Sequence, residues 1–243
     1  MRCFVNPADW NEGEIELAPE ESHHLLHVLR ARAGQPVEIF DGEGNTGVAD
    51  VVSAKGRQAI LRPLNRVHEL RPEVRITLVQ AVPREQKMDL IIQKATELGT
   101  SRIVPLITEH GVVKLKAEQI AERRERWAKI ALNAAKQCGV AWLPEITSPR
   151  RLEDFLREPG GDVLLVGALT GEPRPLKEGI AAARSRGAKS IGILVGPEGD
   201  FSAGEMEQIL AVNAIPVSFG RLTLRSETAA IYALSVLSYE FVP

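Results

Sequence analysis

Three short segments of this chain carry the residue types that could build a ligand site. Gly167-Ala168-Leu169-Thr170-Gly171 follows one apolar run, and Gly196-Pro197-Glu198-Gly199-Asp200-Phe201-Ser202 follows a second. The third, Gly220-Arg221-Leu222-Thr223-Leu224-Arg225-Ser226-Glu227-Thr228-Ala229, follows another. Each opens on a glycine, where a missing side chain permits a tight turn or lets a ligand reach the backbone. None makes a Gly-x-Gly-x-x-Gly or Walker pattern, so neither a dinucleotide nor a nucleoside triphosphate is indicated. Glu198 and Glu227 could accept a proton, and a guanidinium such as Arg225 could hold a developing oxyanion or a phosphate. Structural readings stand beside these. Ser202 and Glu205 have the spacing of a capping box, and Ser226 is placed to cap a following helix, with Glu227 near the positive end of its dipole. Cys3 and Cys138 belong to no Cys-x-x-Cys or Cys/His grouping. His23 and His27 lie four apart without a carboxylate or thiol motif, so no metal is expected.

The elements that must position these segments follow from periodicity. Arg75 to Ala81 reads as a strand. Lys87 to Leu98 reads as a helix with Met88, Ile91, Ile92, Ala95 and Leu98 on one face and Gly99 as its stop. A strand from Ile103 to Ile107 precedes a long helix from Ala117 to Cys138. Further strands span Val163 to Leu169, Ile191 to Val195 and Ile215 to Phe219, followed by helices near 175–186, 203–212 and 227–240. Such alternation implies a parallel α/β sheet covered on both faces, and ligands bind outside the carboxyl ends of its strands, where the three segments fall. The first 70 residues instead alternate short apolar runs with turns around Ile15, Val37 to Phe40, Gly47 to Val52 and Gln58 to Leu61, a β-barrel or sandwich pattern. One helix, Glu20 to Arg32 with Gly34 beyond it, interrupts them. The boundary is expected near Arg71-Pro72, giving domains 1–71 and 72–243.

The net charge of −2 argues against indiscriminate nucleic-acid binding, but its distribution is uneven. Residues 1–70 hold 7 Lys/Arg against 11 Asp/Glu, residues 71–151 hold 15 against 9, and residues 152–243 hold 8 against 12. The basic middle contains Arg84, Lys87, Lys94, Arg123, Arg124 and Arg126. It suits phosphate contact, or else is a solvated helix face. No apolar run approaches the roughly 20 residues that span a bilayer, and the N-terminus has no run long enough for a signal peptide, so a cytoplasmic location without membrane partners is expected.

Taken together, Val195-Gly196-Pro197-Glu198-Gly199-Asp200-Phe201-Ser202 with Glu205, and Gly220 with Leu224-Arg225-Ser226-Glu227-Thr228-Ala229, resemble the two C-terminal signatures of the SPOUT methyltransferases. Within that group the chain resembles the RsmE family, which methylates N3 of a uridine in 16S ribosomal RNA. Lys87-Met88-Asp89 with Gln93-Lys94-Ala95-Thr96-Glu97-Leu98-Gly99 agrees, as does Ala135-Lys136-Gln137-Cys138-Gly139 followed by Pro144. His24-Leu25-Leu26-His27-Val28-Leu29-Arg30 with Gly34 resembles the start of that family's PUA-like RNA-binding domain. The resemblance covers almost the whole chain.

It implies an α/β SPOUT domain with a parallel sheet and a deep trefoil knot, plus an N-terminal PUA-like β-barrel domain. S-adenosyl-L-methionine is the implied cofactor, held by Leu169, Thr170, Leu194, Val195, Gly196, Glu198, Gly199, Phe219, Gly220, Leu224, Arg225 and Thr228. Arg225 is the candidate for stabilising the uracil anion, with Glu227 and Glu198 as proton acceptors. RNA contacts fall to Arg30 and the basic middle, and the expected partner is 16S rRNA within the 30S subunit. The resemblance also implies a homodimer; Ile231, Leu234 and Leu237 would serve its interface, although a monomer core explains them equally. Two alternatives remain: a SPOUT enzyme acting on another RNA atom, and a non-catalytic RNA-binding assembly factor. The second predicts a damaged cofactor loop, whereas Gly196, Glu198, Gly199, Gly220 and Leu224 are present. A dehydrogenase would need a glycine fingerprint after its first strand, where Val82-Pro83-Arg84-Glu85 stands.

Overall fold

The computed structural model describes residues 1–10, 13–55, 58–83, 87–111 and 117–242. They form two compact units, Met1–Arg71 with Ala135–Leu143, and Pro72–Ala134 with the chain from Pro144 onward.

The first unit contains β1 (Arg2–Phe4), β2 (Ile15–Glu16), α1 (Pro19–His23), β3 (Pro36–Phe40), β4 (Asn45–Lys55), β5 (Gln58–Pro63) and β6 (Val67–His68). The strands join in the order β1-β3-β4-β5-β2, with β6 on β4; β1 runs parallel to β3 and the other pairs are antiparallel. Alternation places Val37 and Ile39 in a core with Cys3, Leu17, Leu25, Val51 and Leu61. The helix expected from Glu20 to Arg32 is shorter. After α1 the chain widens into a π-helical turn over His24–Val28, with the Leu29 amide donating to the His24 carbonyl at 2.9 Å. Arg30, at φ 55°, then turns the chain away before Gly34 is reached. Leu25 is fully buried, whereas Val28 and Leu29 are exposed, so no continuous apolar stripe sustains a longer helix. The segment Ala135–Leu143 is tied into this unit by Arg2, which donates to the carbonyls of Ala135 at 3.2 Å and Val140 at 3.1 Å. Lys136 pairs with the buried Glu21 carboxylate.

The second unit comprises β7 (Arg75–Ala81), α2 (Lys87–Glu97), β8 (Arg102–Ile107), most of α3 (Ala117–Cys138), β9 (Glu145–Ile146), β10 (Arg150–Arg151), α4 (Leu152–Arg157), β11 (Val163–Gly167), β12 (Arg174–Pro175), α5 (Leu176–Ser185), β13 (Ser190–Val195), α6 (Ala203–Ala211), β14 (Ile215–Ser218) and α7 (Ser226–Phe241). Eight parallel strands lie in the order β10-β8-β7-β13-β11-β14-β12, with β9 on β8. The strands are nearly continuous apolar runs because both faces are covered. On one face Leu78, Ile103, Leu165 and Ile193 pack against α2, α3, α5 and α7. On the other, Val79, Val104, Val166 and Leu194 pack against α4 and α6.

Helix α4 was not foreseen; it is six residues long, with Leu152, Phe155 and Leu156 as its buried face. Of the two readings left open for α7, the core holds at two of the three positions, and Ile231 is half-buried. Leu234 and Leu237 are 1% and 0% exposed, so they belong to the core of this unit and offer no surface to another chain. The exposed side carries Thr228, Tyr232 and Tyr239 instead. Among the described residues no helix is long and apolar enough to cross a membrane.

Candidate functional site

Strands β13, β11 and β14 are immediate neighbours running in one direction, so the segments leaving their carboxyl ends emerge side by side. Together they line a cavity of about 340 Å³. The first segment contributes Gly167, Ala168 and Leu169, the second Val195 to Glu198 with Asp200, and the third the run from Ser218 to Ser226 with Ala229.

Each segment is fixed by local contacts. A Cβ on Gly167 would lie 2.7 Å from Cε2 of Phe219, so glycine is what lets that ring cross the strand end. Asp200 adopts φ 58°, a conformation that costs a non-glycine residue about 1 kcal/mol or more. Its carboxylate offsets this by accepting from the Phe201 amide at 2.9 Å and the Leu169 amide at 3.3 Å, which ties the second segment to the first. The capping box at α6 forms as expected, with Ser202 and Glu205 bonding reciprocally. Glu205 also accepts from the Glu109 amide at 2.8 Å. His110 Nδ1 lies 3.0 Å from the Asp200 carbonyl and 3.1 Å from that of Gly199. These two carbonyls, Asp200 first, raise the His110 pKa above its ordinary value. In the third segment Ser218 Oγ bonds both the amide and the carbonyl of Gly220, whose φ is +119°.

Ser226 does not cap α7. The capping position is Arg225, which makes no side-chain cap bond. Ser226 lies inside the first turn, 4% exposed, and its hydroxyl donates to the Gly196 carbonyl at 2.7 Å. It accepts from Gln80 Nε2 at 2.9 Å. Burial against the end of β7 turns this hydroxyl away from the helix terminus.

Lys87 Nζ lies 2.9 Å from Glu198 Oε1 and 3.6 Å from Glu227 Oε2, so it joins two carboxylates from different segments. The hydrogen bond that Lys87 donates to the Glu198 carboxylate raises the Lys87 pKa and keeps the ammonium charged. Lys87 stood among the expected RNA contacts; here it braces the site.

Of the residues expected at the cofactor, Leu169, Val195, Gly196, Glu198, Phe219, Gly220, Leu224 and Arg225 line the cavity. Thr170, Leu194, Gly199 and Thr228 do not. Leu194 is buried in the core under α4 and α6, Thr170 and Thr228 are exposed, and Gly199 sits against His110. Glu227 does not line the cavity, and its carboxylate pairs with Lys87. Pro173, Arg221, Leu222 and Ser226 line the cavity without having been expected at the cofactor. Gln80, wholly buried behind it, was also missed, although a polar residue near the end of the apolar strand RITLVQA is a signal in itself. Among the basic residues, Lys94 pairs with Glu97 at 2.8 Å, Arg126 pairs with Asp89, and Arg124 Nε donates to the Ile146 carbonyl at 3.0 Å. Arg30 and Arg123 have no ion pair among the described residues, and Arg84 lies outside them.

The cavity falls within the roughly 300–1,000 Å³ usual for small-molecule sites. Leu169, Val195, Phe219 and Leu224 give it apolar walls, while Gly167, Gly196 and Gly220 leave backbone accessible. Apolar walls with backbone donors and acceptors suit a flat heterocycle such as adenine, and Glu198, Asp200 and Arg225 supply charge beside it.

Comparison with known proteins is consistent with this geometry. The RNA methyltransferase domain family matches residues 70–238, and the RNA methyltransferase PUA domain family matches residues 17–64. The chain is 28% identical over 250 residues to ribosomal RNA small subunit methyltransferase E of Bacillus subtilis, covering 99% of this chain and 96% of the relative. It is 32% identical over 197 residues to the protein of the same name from Aquifex aeolicus, covering 80% of this chain and 82% of the relative. The crystal structure of ribosomal RNA small subunit methyltransferase E from Neisseria gonorrhoeae bound to S-adenosyl methionine superposes with a TM-score of 0.85 at 25% identity, covering 98% of this chain and 96% of the other.

Proposed function

We propose, because this chain belongs to the ribosomal RNA small subunit methyltransferase E family, that it transfers a methyl group from S-adenosylmethionine to N3 of a uridine in 16S rRNA. The observation that carries this reading is the single cavity formed by the three glycine-led segments at the ends of β11, β13 and β14. Its apolar walls and accessible backbone fit the adenosyl group. When bound, S-adenosylmethionine supplies a methyl group on a sulfonium, which is already an activated leaving group.

The chain's own residues then have two tasks, aligning the uracil and managing one proton. Uracil N3 carries a hydrogen and is a poor nucleophile until that proton leaves or is shared. Arg225 lines the cavity with an exposed guanidinium, and in this reading it hydrogen-bonds a uracil oxygen as negative charge develops. Glu198 is the acceptor assigned first because it lines the cavity, with Lys87 holding its carboxylate in place. Glu227, paired with the same lysine, is the second.

Residues 72–243, apart from the stretch Ala135–Leu143 that belongs to the first unit, act as the methyltransferase domain, threaded as a deep trefoil knot around these segments, and residues 1–71 act as a PUA-like RNA-binding domain. Arg30 and Arg123, free of ion pairs among the described residues, engage phosphates first; Lys94, Arg124 and Arg126 must leave their present partners to do so. Arg84 belongs to the same basic stretch of sequence. The enzyme works as a cytoplasmic homodimer on the 30S subunit. Comparing initial rates on protein-free 16S rRNA and on unmethylated 30S subunits tests the substrate: a clear preference for 30S is expected, and equal rates overturn that part.

A further inference from the structure

The second segment is held from beneath by a buried relay that the reaction itself does not require. Gln80 sits near the end of β7 with no solvent exposure. Its Nε2 donates to the Ala81 carbonyl at 2.9 Å and to Ser226 Oγ at 2.9 Å, and lies 3.5 Å from the Val195 carbonyl. Both carbonyls are obligate acceptors, so the amide nitrogen, not the oxygen, must face them. With the Ser226 hydroxyl accepting from Gln80, its own hydrogen is left to point at the Gly196 carbonyl, 2.7 Å away. The direction of the whole relay is therefore set by chemistry: Gln80 to Ser226 to Gly196.

Two further observations give the relay a purpose beyond packing. Gln80 Oε1 is buried without a hydrogen-bond partner among the described residues. Native interiors rarely leave such an acceptor unmet, and a hydrophobic residue of similar volume would avoid the penalty. Gly196 is also confined from its other side. A Cβ there would lie 2.8 Å from Asp200 Oδ1 and 3.3 Å from the Phe201 amide nitrogen. The Gly196–Pro197 peptide is thus held through its carbonyl by Ser226, while Gly196 itself is packed against Asp200. Val195, Gly196, Asp200 and Ser226 all line the cavity, so a rotation of this peptide alters the cavity wall directly.

We propose that Gln80 and Ser226 are positioning residues that hold the Gly196 carbonyl and thereby preorganise the backbone that receives S-adenosylmethionine. The inference rests on the reading of this cavity as the cofactor site. The relay fixes one peptide plane before the ligand arrives, so its loss appears chiefly in cofactor affinity and the KM for cofactor, with a smaller change in kcat at saturation. Because Gln80 reaches Gly196 only through Ser226, the two residues act as one unit and their effects do not add.

The test is calorimetric titration of S-adenosylmethionine into the full chain as wild type, Ser226→Ala, Ser226→Thr, Gln80→Met and the double variant Gln80→Met/Ser226→Ala, with thermal melts of each. Ser226→Ala and Gln80→Met are expected to weaken binding about 10- to 100-fold. Ser226→Thr, which keeps the hydroxyl, is expected to bind within a few-fold of wild type, and the double variant no worse than the weaker single one. The proposal is overturned if Ser226→Ala and Gln80→Met bind within twofold of wild type while their melting temperatures fall, which is a purely structural role. It is also overturned if the double variant shows the product of the two single losses. Wild type failing to bind S-adenosylmethionine at all would instead remove the cofactor reading on which the relay rests.

Discussion

Gly167→Ala is the substitution that most sharply links the cavity wall to cofactor binding. The added methyl would lie 2.7 and 2.9 Å from Cε2 and Cζ of Phe219, where ordinary contact begins near 3.4 Å. The ring must therefore withdraw by roughly 0.5–0.7 Å, and a packed aromatic ring does not absorb such a shift freely. Phe219 is backed by Tyr232, whose ring centroid is 6.0 Å away, so any displacement is transmitted to the cavity that Phe219 lines. Overpacking of this kind costs about 1–3 kcal/mol. If that cost falls on the bound conformation, it corresponds to about a 5- to 150-fold loss of S-adenosylmethionine affinity. The assay is calorimetric titration of wild type and Gly167→Ala, with the melting temperature measured alongside. A variant that melts as wild type does and binds S-adenosylmethionine within twofold of it would refute the reasoning, because Phe219 would then not be a wall of the cofactor site.

Gly204→Ala provides a contrast. Gly204 is exposed in the first turn of α6, and a Cβ there meets no atom within 4 Å, so the helix gains up to about 1 kcal/mol and the melting temperature is expected to rise by about 1–4 °C with cofactor affinity unchanged. For His110, a folded pKa raised above its unfolded value of 6.5 means that its protonated form contributes stability at acidic pH, which is lost as pH rises through the folded value. The melting-temperature difference between wild type and His110→Ala should accordingly be larger near pH 5.5 than near pH 8.5; an increase toward alkaline pH contradicts the assignment. For RNA, Arg30→Ala and Arg123→Ala are each expected to lower the salt dependence of binding by about one phosphate contact. Lys94→Ala and Arg126→Ala should do less because each cation already faces a carboxylate, and filter binding across a salt series separates the two classes.

Much of the sheet and its helices was legible in the sequence because it follows from periodicity. The strand over Arg75–Ala81 and the helix over Ala117–Cys138 match their expected spans, since uninterrupted apolar runs and a long 3.6-residue stripe leave little ambiguity. The loops were legible for a different reason: three glycine-led segments at strand ends announce themselves, and their meeting in one cavity follows from the adjacency of β13, β11 and β14. What escaped depends on partners distant in sequence. Helix α4 is too short for its period to stand out. The turn after His23 widens where the chain passes from the fully buried Leu25 to the exposed Val28 and Leu29, a change that no local propensity encodes. Ser226 has a plausible local role as a helix cap, and only the proximity of Gln80, 146 residues away, reveals the other one. Leu234 and Leu237 fit an interface or a core equally well by pattern, and the packing of α7 on the sheet assigns them to the core.

The most direct test of the central claim is methyl transfer from labelled S-adenosylmethionine to unmethylated 30S subunits by wild type and Arg225→Ala, with nucleoside analysis of the product. The account predicts that wild type yields 3-methyluridine, and that Arg225→Ala binds the cofactor yet forms the product at least about 100-fold more slowly, the scale on which loss of one oxyanion donor slows an enzyme. A methyl group found on any other atom, or an Arg225→Ala variant as fast as wild type, would contradict it.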